Sequence, residues 1–192
     1  QLLKECMKFN PAEIICVEIN EEKVFEIENI KTENIKSVTV RSILANINNK
    51  THLEKIFNEN RPNIIFHAAA YKHVPIQELH PWTSVETNVG GTYNIVDLSD
   101  RYSVEKFVLV STDKAVNPVN VMGATKRVAE IYIQSISEFY KTNTTIFSSI
   151  RFGNVLGSNG SVVPLFNEQI EKGGPITVTH PEVTRYFMTI GE

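Results

Sequence analysis

Three side chains that can carry protons stand in a row at Thr112, Asp113 and Lys114: a hydroxyl, a carboxyl and an amine. They open the stretch STDKAVNPVNVMGATKR at 111–127, which also holds Met122 and, four residues on, Lys126. An adjacent acid and base suit a reaction that takes one proton and delivers another. A lysine serves as a base only where burial or a neighbouring cation depresses its pKa, and an aspartic acid donates only where its pKa is raised. Lys126, on a helix starting near Met122, offers a cation that can hold a ribose and lower the pKa of a nearby hydroxyl. The competing reading of Asp113 and Lys114 is an ordinary surface pair in a turn.

Other polar clusters have the same two-sided character. Glu18 closes an apolar run, where an acid can accept from adenosine ribose hydroxyls and repel a 2′-phosphate; this favours NAD over NADP. HAAA at 67–70 brings the small side chains Ala68, Ala69 and Ala70, which admit a flat cofactor to the backbone or simply serve helix packing. Lys72 and His73 follow and can meet a phosphate or a sugar. In ETNVGGTYN at 86–94, Asn88 and Thr92 share one helical face, and Gly90 and Gly91 weaken the helix and suggest close packing. The Gly/Ser/Asn-rich loop in RFGNVLGSNGSVVPLF at 151–166 has backbone N–H groups that could receive a diphosphate. Arg185 offers a forked donor for a phosphate.

These clusters need a frame, and the apolar pattern supplies one. Short β-branched runs at 13–19, 38–44, 63–67, 106–111 and 145–152 alternate with helical patterns near 50–60, 83–102, 122–141 and 162–172. This predicts an α/β doubly wound fold with parallel strands buried on both faces. Ligands bind beyond the carboxyl ends of such strands, and Glu18, Ala45–Ile47, HAAAYKH, STDK and GNVLGSNGS each fall at or just after one of those ends.

The 192 residues suit about one domain. A net charge of −3 and scattered Lys and Arg exclude a nucleic-acid binder. Two cysteines, Cys6 and Cys16, give neither a disulfide framework nor a metal-ligand spacing, and a reducing cytoplasm is the compartment expected. No apolar run reaches the length of a membrane span. The chain opens on Gln1 in a helical pattern and stops at MTIGE, which reads as part of a longer protein.

Taken together, HAAAYKHVP, NVGGTYN, STDKAVNPVNVMGATKR, RFGNVLGSNGSVVPLF and VTHPEVTRYFMTI resemble the polysaccharide-biosynthesis branch of the extended short-chain dehydrogenase/reductase family. Members are nucleotide-sugar 4,6-dehydratases acting on UDP-N-acetylglucosamine, and the resemblance runs from about residue 10 to the end. It implies a Rossmann-like domain over 1–150, cut at its start, and the beginning of a nucleotide-sugar region over 151–192. It also implies bound NAD and an internal redox reaction: oxidation at sugar C4, loss of water across C5 and C6, and return of hydride to C6. In this pattern Lys114 matches the base and Asp113 the acid, Thr112 sits by the 4-hydroxyl, and Lys126 holds the cofactor ribose. Lys72 and His73 match the sugar pocket, and Asn154 and Arg185 match positions that hold the diphosphate. The family often has Gly-Asp where this chain has Ala45–Asn46; Asn46, with Ile47, is expected on the adenine side. Related dehydrogenases place tyrosine at Met122. The long, C5-retaining members carry Met there, and their parent proteins usually have a membrane region ahead of the catalytic domain. A homo-oligomer is expected. The glycine-rich turn of the family is absent from 1–192. A C4 epimerase of the same fold and a non-catalytic NAD-binding domain are the alternatives.

Overall fold

The computed structural model describes residues 2–30, 38–139, 145–157, 162–178, 181, 182, 184 and 186–189. They form two compact units, 1–150 and 151–192.

Strand and helix alternate through the first unit as the apolar runs predict. Helix α1 (Leu2–Met7) precedes β1 (Glu13–Glu18), α2 (Glu21–Glu28) and β2 (Thr39–Leu44). The two strands pair in parallel, from Glu13 opposite Thr39 to Glu18 opposite Leu44. Helix α3 (Lys50–Asn60) leads to β3 (Ile64–His67), and β3 pairs in parallel with β4 (Lys106–Thr112) from Ile64 opposite Lys106 to His67 opposite Leu109. Strand β5 (Ile146–Phe152) lies on the other side of β4. Side-chain oxygens start two of the helices: Asn20 accepts from Lys23 N–H ahead of α2, and Asn49 from His52 N–H ahead of α3.

Among the described residues of the first unit the strands hydrogen-bond as β1–β2 and β3–β4–β5. One expectation needs correction: not all strands are buried on both faces. The sheet face carrying Ile65, Phe107, Leu109 and Phe147 packs on Ile95, Val96, Leu98, Ala129 and Ile133 of the covering helices. The opposite face leaves Ile64 and Phe66 half exposed. The described helices that complete the core cover one side of this sheet.

The segment expected as one helix over 83–102 is three. Short α4 (Val74–Leu79) and α5 (Pro81–Ser84) run into a π-helix at Val85–Gly91, which continues as α6 (Thr92–Arg101). The backbone stays right-handed through both joins, with φ −64° at Ser84 and −61° at Thr92. At Gly91 the helix comes close to the loop after β2: a Cβ there would lie 2.4 Å from Ile47 Cδ1, so the Ile47 side chain would have to move to admit one. Helix α7 (Val121–Phe139) carries an inward stripe of Met122, Thr125, Lys126, Ala129, Glu130 and Ile133. In the second unit β6 (Asn154–Val155) pairs in parallel with β7 (Phe187–Met188), and α8 (Val162–Glu171) lies between them in sequence.

Candidate active site

The three proton carriers stand where β4 ends. Residues Asp113–Ala115 form a single 3₁₀ turn capped by Thr112, whose hydroxyl accepts from Lys114 N–H at 3.4 Å. The same hydroxyl donates to Asp113 Oδ1 at 2.9 Å, and Lys114 Nζ donates to that oxygen at 3.0 Å. One carboxylate oxygen thus collects a hydroxyl and an ammonium. Burial pushes the Asp113 pKa up, but the bonds from Lys114 and Thr112 outweigh it and leave the group below the ordinary carboxylate range. Asp113 is therefore ionised in this arrangement. It works as an acid only after it has received a proton, and Thr112 is the donor aimed at it.

Helix α7 packs its first turn against this corner. Asn120 caps the helix by accepting from Gly123 N–H at 2.8 Å. A Cβ on Gly123 would sit 2.5 Å from the Lys114 carbonyl oxygen, so the helix and the 3₁₀ turn touch through a bare backbone. Met122, beside it, is buried at 5% exposure and brings no proton to the corner.

Further along the stripe the chemistry is buried. Lys126 is 4% exposed, and desolvation drives its pKa down to about 8 while the negative charge of Glu130 opposes the fall. Glu130 Oε1 accepts from Ser111 Oγ at 2.5 Å, and its other oxygen lies 3.4 Å from Arg127 Nη1. His67, at the carboxyl end of β3, has its pKa lowered to about 3 by burial and then by the charge on Lys126. Its Nε2 lies 2.8 Å from Thr92 Oγ1, and Thr92 spends its own proton on the Asn88 carbonyl at 2.7 Å. The imidazole must then donate through Nε2–H, which fixes the neutral tautomer.

Asn88, fully buried in the π-helix, joins the β3 loop to α7. Its Oδ1 accepts from Tyr71 N–H at 2.9 Å. Its Nδ2 lies within bonding distance of Tyr71 O, Ser84 Oγ and Thr125 Oγ1, at 3.1, 3.2 and 3.0 Å. The amide grips both sides of the Tyr71 residue and, through Thr125, the residue next to Lys126.

The profile of the polysaccharide biosynthesis protein family matches residues 1–192. The chain belongs to that family. It is 47% identical over 193 residues to a capsular polysaccharide biosynthesis protein of Staphylococcus aureus, covering all of this chain and 32% of that protein. It is 34% identical over 183 residues to a UDP-N-acetylglucosamine 4,6-dehydratase (inverting) of Campylobacter jejuni, covering 95% of this chain and 53% of that one. It is 43% identical over 126 residues to a UDP-glucose 4-epimerase of Rickettsia canadensis, 66% of this chain and 37% of that one. The X-ray structure of Pen from Bacillus thuringiensis superposes at TM-score 0.89 and 32% identity, over 99% of this chain and 57% of that chain. A double mutant of the dTDP-glucose 4,6-dehydratase DesIV of Streptomyces venezuelae, solved with NAD and DAU bound, superposes at TM-score 0.80 and 19% identity over 98% of this chain and 62% of that chain, which shows a shared Rossmann-like fold. The chain spans between a third and about half of the length of these curated relatives.

Within this family fold, the residues expected on the cofactor side are unevenly disposed. Ala68 and Ala69 are exposed beyond β3. Glu18 turns Oε1 onto its own neighbours, accepting from Ile19 N–H at 2.8 Å and Asn20 N–H at 3.0 Å. Asn46 Oδ1 accepts from Asn48 N–H at 2.9 Å, so a lone pair expected for adenine already closes a turn. Ile47 is buried in the core, and its carbonyl accepts from Asn94 Nδ2. Lys72 and His73 are exposed on the loop that Asn88 grips. Asn154 lies in the second unit, on β6, where its N–H bonds Tyr186 O at 2.9 Å. Arg185 lies outside the described residues. Among the described residues no His/Cys/Asp/Glu group is arranged to hold a metal, and no helix is long and apolar enough to cross a membrane.

Sequence reasoning passed over Gly123, His67, Ser111 and Glu130. The signal for Glu130 was present: a carboxylate four residues after Lys126, on the same face as Met122, Ala129 and Ile133. Two opposite charges on an apolar stripe are costly unless they serve each other.

Proposed function

We propose that residues 1–192 belong to a NAD-dependent nucleotide-sugar 4,6-dehydratase. The substrate is UDP-N-acetylglucosamine and the product a UDP-4-keto-6-deoxy-N-acetylhexosamine with configuration retained at C5, made for a surface polysaccharide or glycan. The observation that carries this reading is Asp113 Oδ1, which accepts from Thr112 and Lys114 at a strand's carboxyl end.

The residues suit a dinucleotide. Ala68 and Ala69 present only methyl groups beyond β3, Lys126 is a buried cation for a ribose, and Glu18 keeps Oε2 for ribose hydroxyls. Bound NAD supplies a hydride acceptor and donor. The first unit takes the cofactor, and the second begins the nucleotide-sugar region, with Asn154 and Arg185 on the diphosphate. Lys72 and His73 meet the sugar. NAD is favoured over NADP by the Glu18 carboxylate.

The protons then balance on three side chains. Thr112 receives the 4-hydroxyl proton and passes its own to the Asp113 carboxylate, which the structure leaves ionised and able to accept. Asp113, so loaded, protonates the departing C6 hydroxyl, which leaves as water. Lys114, acting as a neutral amine, removes the C5 proton made acidic by the 4-keto group and returns it on the same face. Retention follows from that single-base return and from Met122, although the Campylobacter relative is labelled inverting. The parent protein is a cytoplasmic homo-oligomeric catalyst, membrane-anchored in some family contexts: a relative 46% identical from Methanocaldococcus jannaschii is labelled a membrane protein.

The test is turnover of UDP-N-acetylglucosamine by the full-length protein in D₂O, followed by NMR. A 6-deoxy product with one solvent deuterium at C5 is expected, and Lys114→Met should cut its formation by about 10³-fold. A 4-epimer with no 6-deoxy product would instead support the epimerase reading, which the Rickettsia relative keeps in play. Unchanged turnover in Lys114→Met would sink the proton scheme.

A further inference from the structure

Lys126 and Glu130 are the two charged groups on the buried stripe of α7, four residues apart and therefore one above the other. Each is 5% exposed or less, among Met122, Ala129 and Ile133. An ammonium and a carboxylate taken out of water each cost several kcal/mol unless paired. Glu130 is tethered across the helix–sheet contact by Ser111 Oγ at 2.5 Å, the residue just before Thr112. Its oxygens bond to Ser111 at the strand end and lie 3.4 Å from Arg127, while its charge acts on Lys126 one turn back on the same buried face.

We propose that Glu130 is a positioning residue: it serves as the counter-charge of Lys126 and ties α7 to the end of β4, so that the ribose-holding cation and the Thr112–Lys114 corner move as one body. The inference rests on the dehydratase reading for what Lys126 does, but not for how Glu130 treats it.

Among the described residues, the charge environment of Lys126 can be named from the elements packed around it. On α7 it comprises Glu130 and, bonded to Glu130, the half-exposed Arg127. From β3 comes His67, a neutral imidazole pinned on Thr92. From the 3₁₀ turn packed on the same helix come Asp113 and Lys114, which pair with each other at 3.0 Å and largely cancel. Glu78 of α4 reaches the start of the helix, where it accepts from Val121 N–H. Among these, Glu130 is the group that holds Lys126 charged against its burial, and the ammonium titrates near pH 8 with that help.

The experiment reads Lys126 directly, without relying on catalysis. In the full-length protein carrying ¹³Cε-labelled lysine, NMR follows each lysine against pH, and the Lys126 signal is the one missing from Lys126→Arg. Glu130→Gln keeps the shape and the acceptor for Ser111 but removes the charge, and should lower the Lys126 midpoint by about one unit. Arg127→Gln leaves the core untouched, removes the cation competing for the carboxylate, and should raise the midpoint by about half a unit. An unmoved midpoint in both variants, or an upward move in Glu130→Gln, overturns the proposal. The pH profile of sugar-nucleotide turnover should shift in the same two directions. Shifted NMR midpoints with no 6-deoxy product from the wild-type protein would leave Glu130 in this role and refute the dehydratase reading alone.

Discussion

Two polar clusters meet helix α7, and they are built differently. At its first turn, Asp113 and Lys114 form an ion pair with side chains 30% and 26% exposed. Deeper along the helix and across the π-helix, His67, Asn88, Ser111, Lys126 and Glu130 are all 5% exposed or less. The first cluster sits in high dielectric, where an ion pair is worth under about 1 kcal/mol and its protons exchange with what comes near. In the second, His67 is bonded to Thr92, Asn88 to Tyr71 and Thr125, and Ser111 to Glu130 in a dry interior, where losing one member strands its partner, while Lys126 is held among them by burial. The contrast separates the groups suited to move protons from the groups that hold them in register. It implies that variants damaging turnover most should damage stability least.

The sharpest way to break this contrast is Asn88→Ala. It removes the acceptor of Tyr71 N–H and the amide N–H donor that Tyr71 O, Ser84 Oγ and Thr125 Oγ1 share. We expect about 3 kcal/mol of lost stability in urea denaturation. A loss below about 1 kcal/mol would mean that the buried network is not what holds the β3 loop on α7. Gly123→Ala comes next. Its new Cβ would lie 2.5 Å from the Lys114 carbonyl, so backbone must shift. The cost should be about 2 kcal/mol by the same measurement, with turnover falling as well because Lys114 is the residue displaced. Full activity in Gly123→Ala would show that the corner tolerates a moved base.

The sequence made the frame legible because periodicity reports burial. The five expected strands and the helices at 50–60 and 162–172 follow the apolar runs to within a residue or two, whereas α2, α4, β6 and β7 had no run that announced them. Thr112, Asp113 and Lys114 were readable for a local reason: three proton carriers in a row at the end of a β-branched run define their own neighbourhood. Pairs made by packing were harder. Ser111 and Glu130 are 19 residues apart and meet only because β4 and α7 cross. Asn88 and Tyr71 are 17 residues apart and meet only where the π-helix packs on the loop after β3. Gly123 looks like any helical glycine until the Lys114 carbonyl is placed over it. The split of 83–102 was half visible in Gly90–Gly91, but low helix propensity alone does not say that the helix widens rather than ends. The exposed faces of β3 and β5 were not legible, since a β-branched run looks the same whether one face or both are covered.

Acid titration sharpens the contrast more gently. The folded pKa of His67 is about 3 against an ordinary value near 6.5, so the unfolded chain binds the proton first as pH falls. Its contribution is complete above pH 6.5 and is lost between there and about 3, with a slope of about 1.4 kcal/mol per pH unit. Carboxylates such as Asp113, whose folded pKa is also depressed, lose stability in the same direction at the acid end. The informative quantity is therefore the difference between wild type and His67→Gln, which keeps a donor for Thr92 and should flatten the slope between pH 4 and 6.5. Equal slopes would place the imidazole in contact with water.

The smallest expected effect is the most telling. Lys114→Met removes the ammonium that Asp113 Oδ1 receives at 3.0 Å, yet that oxygen still has the Thr112 hydroxyl at 2.9 Å and lies close to water. Stability at pH 7 should fall by no more than about 0.5 kcal/mol. Below the depressed pKa of Asp113 the pair no longer exists, and the variant and wild type should converge. A large loss at pH 7 would mean that the Lys114–Asp113 ion pair is a main support of the fold rather than an exchangeable pair at a strand end.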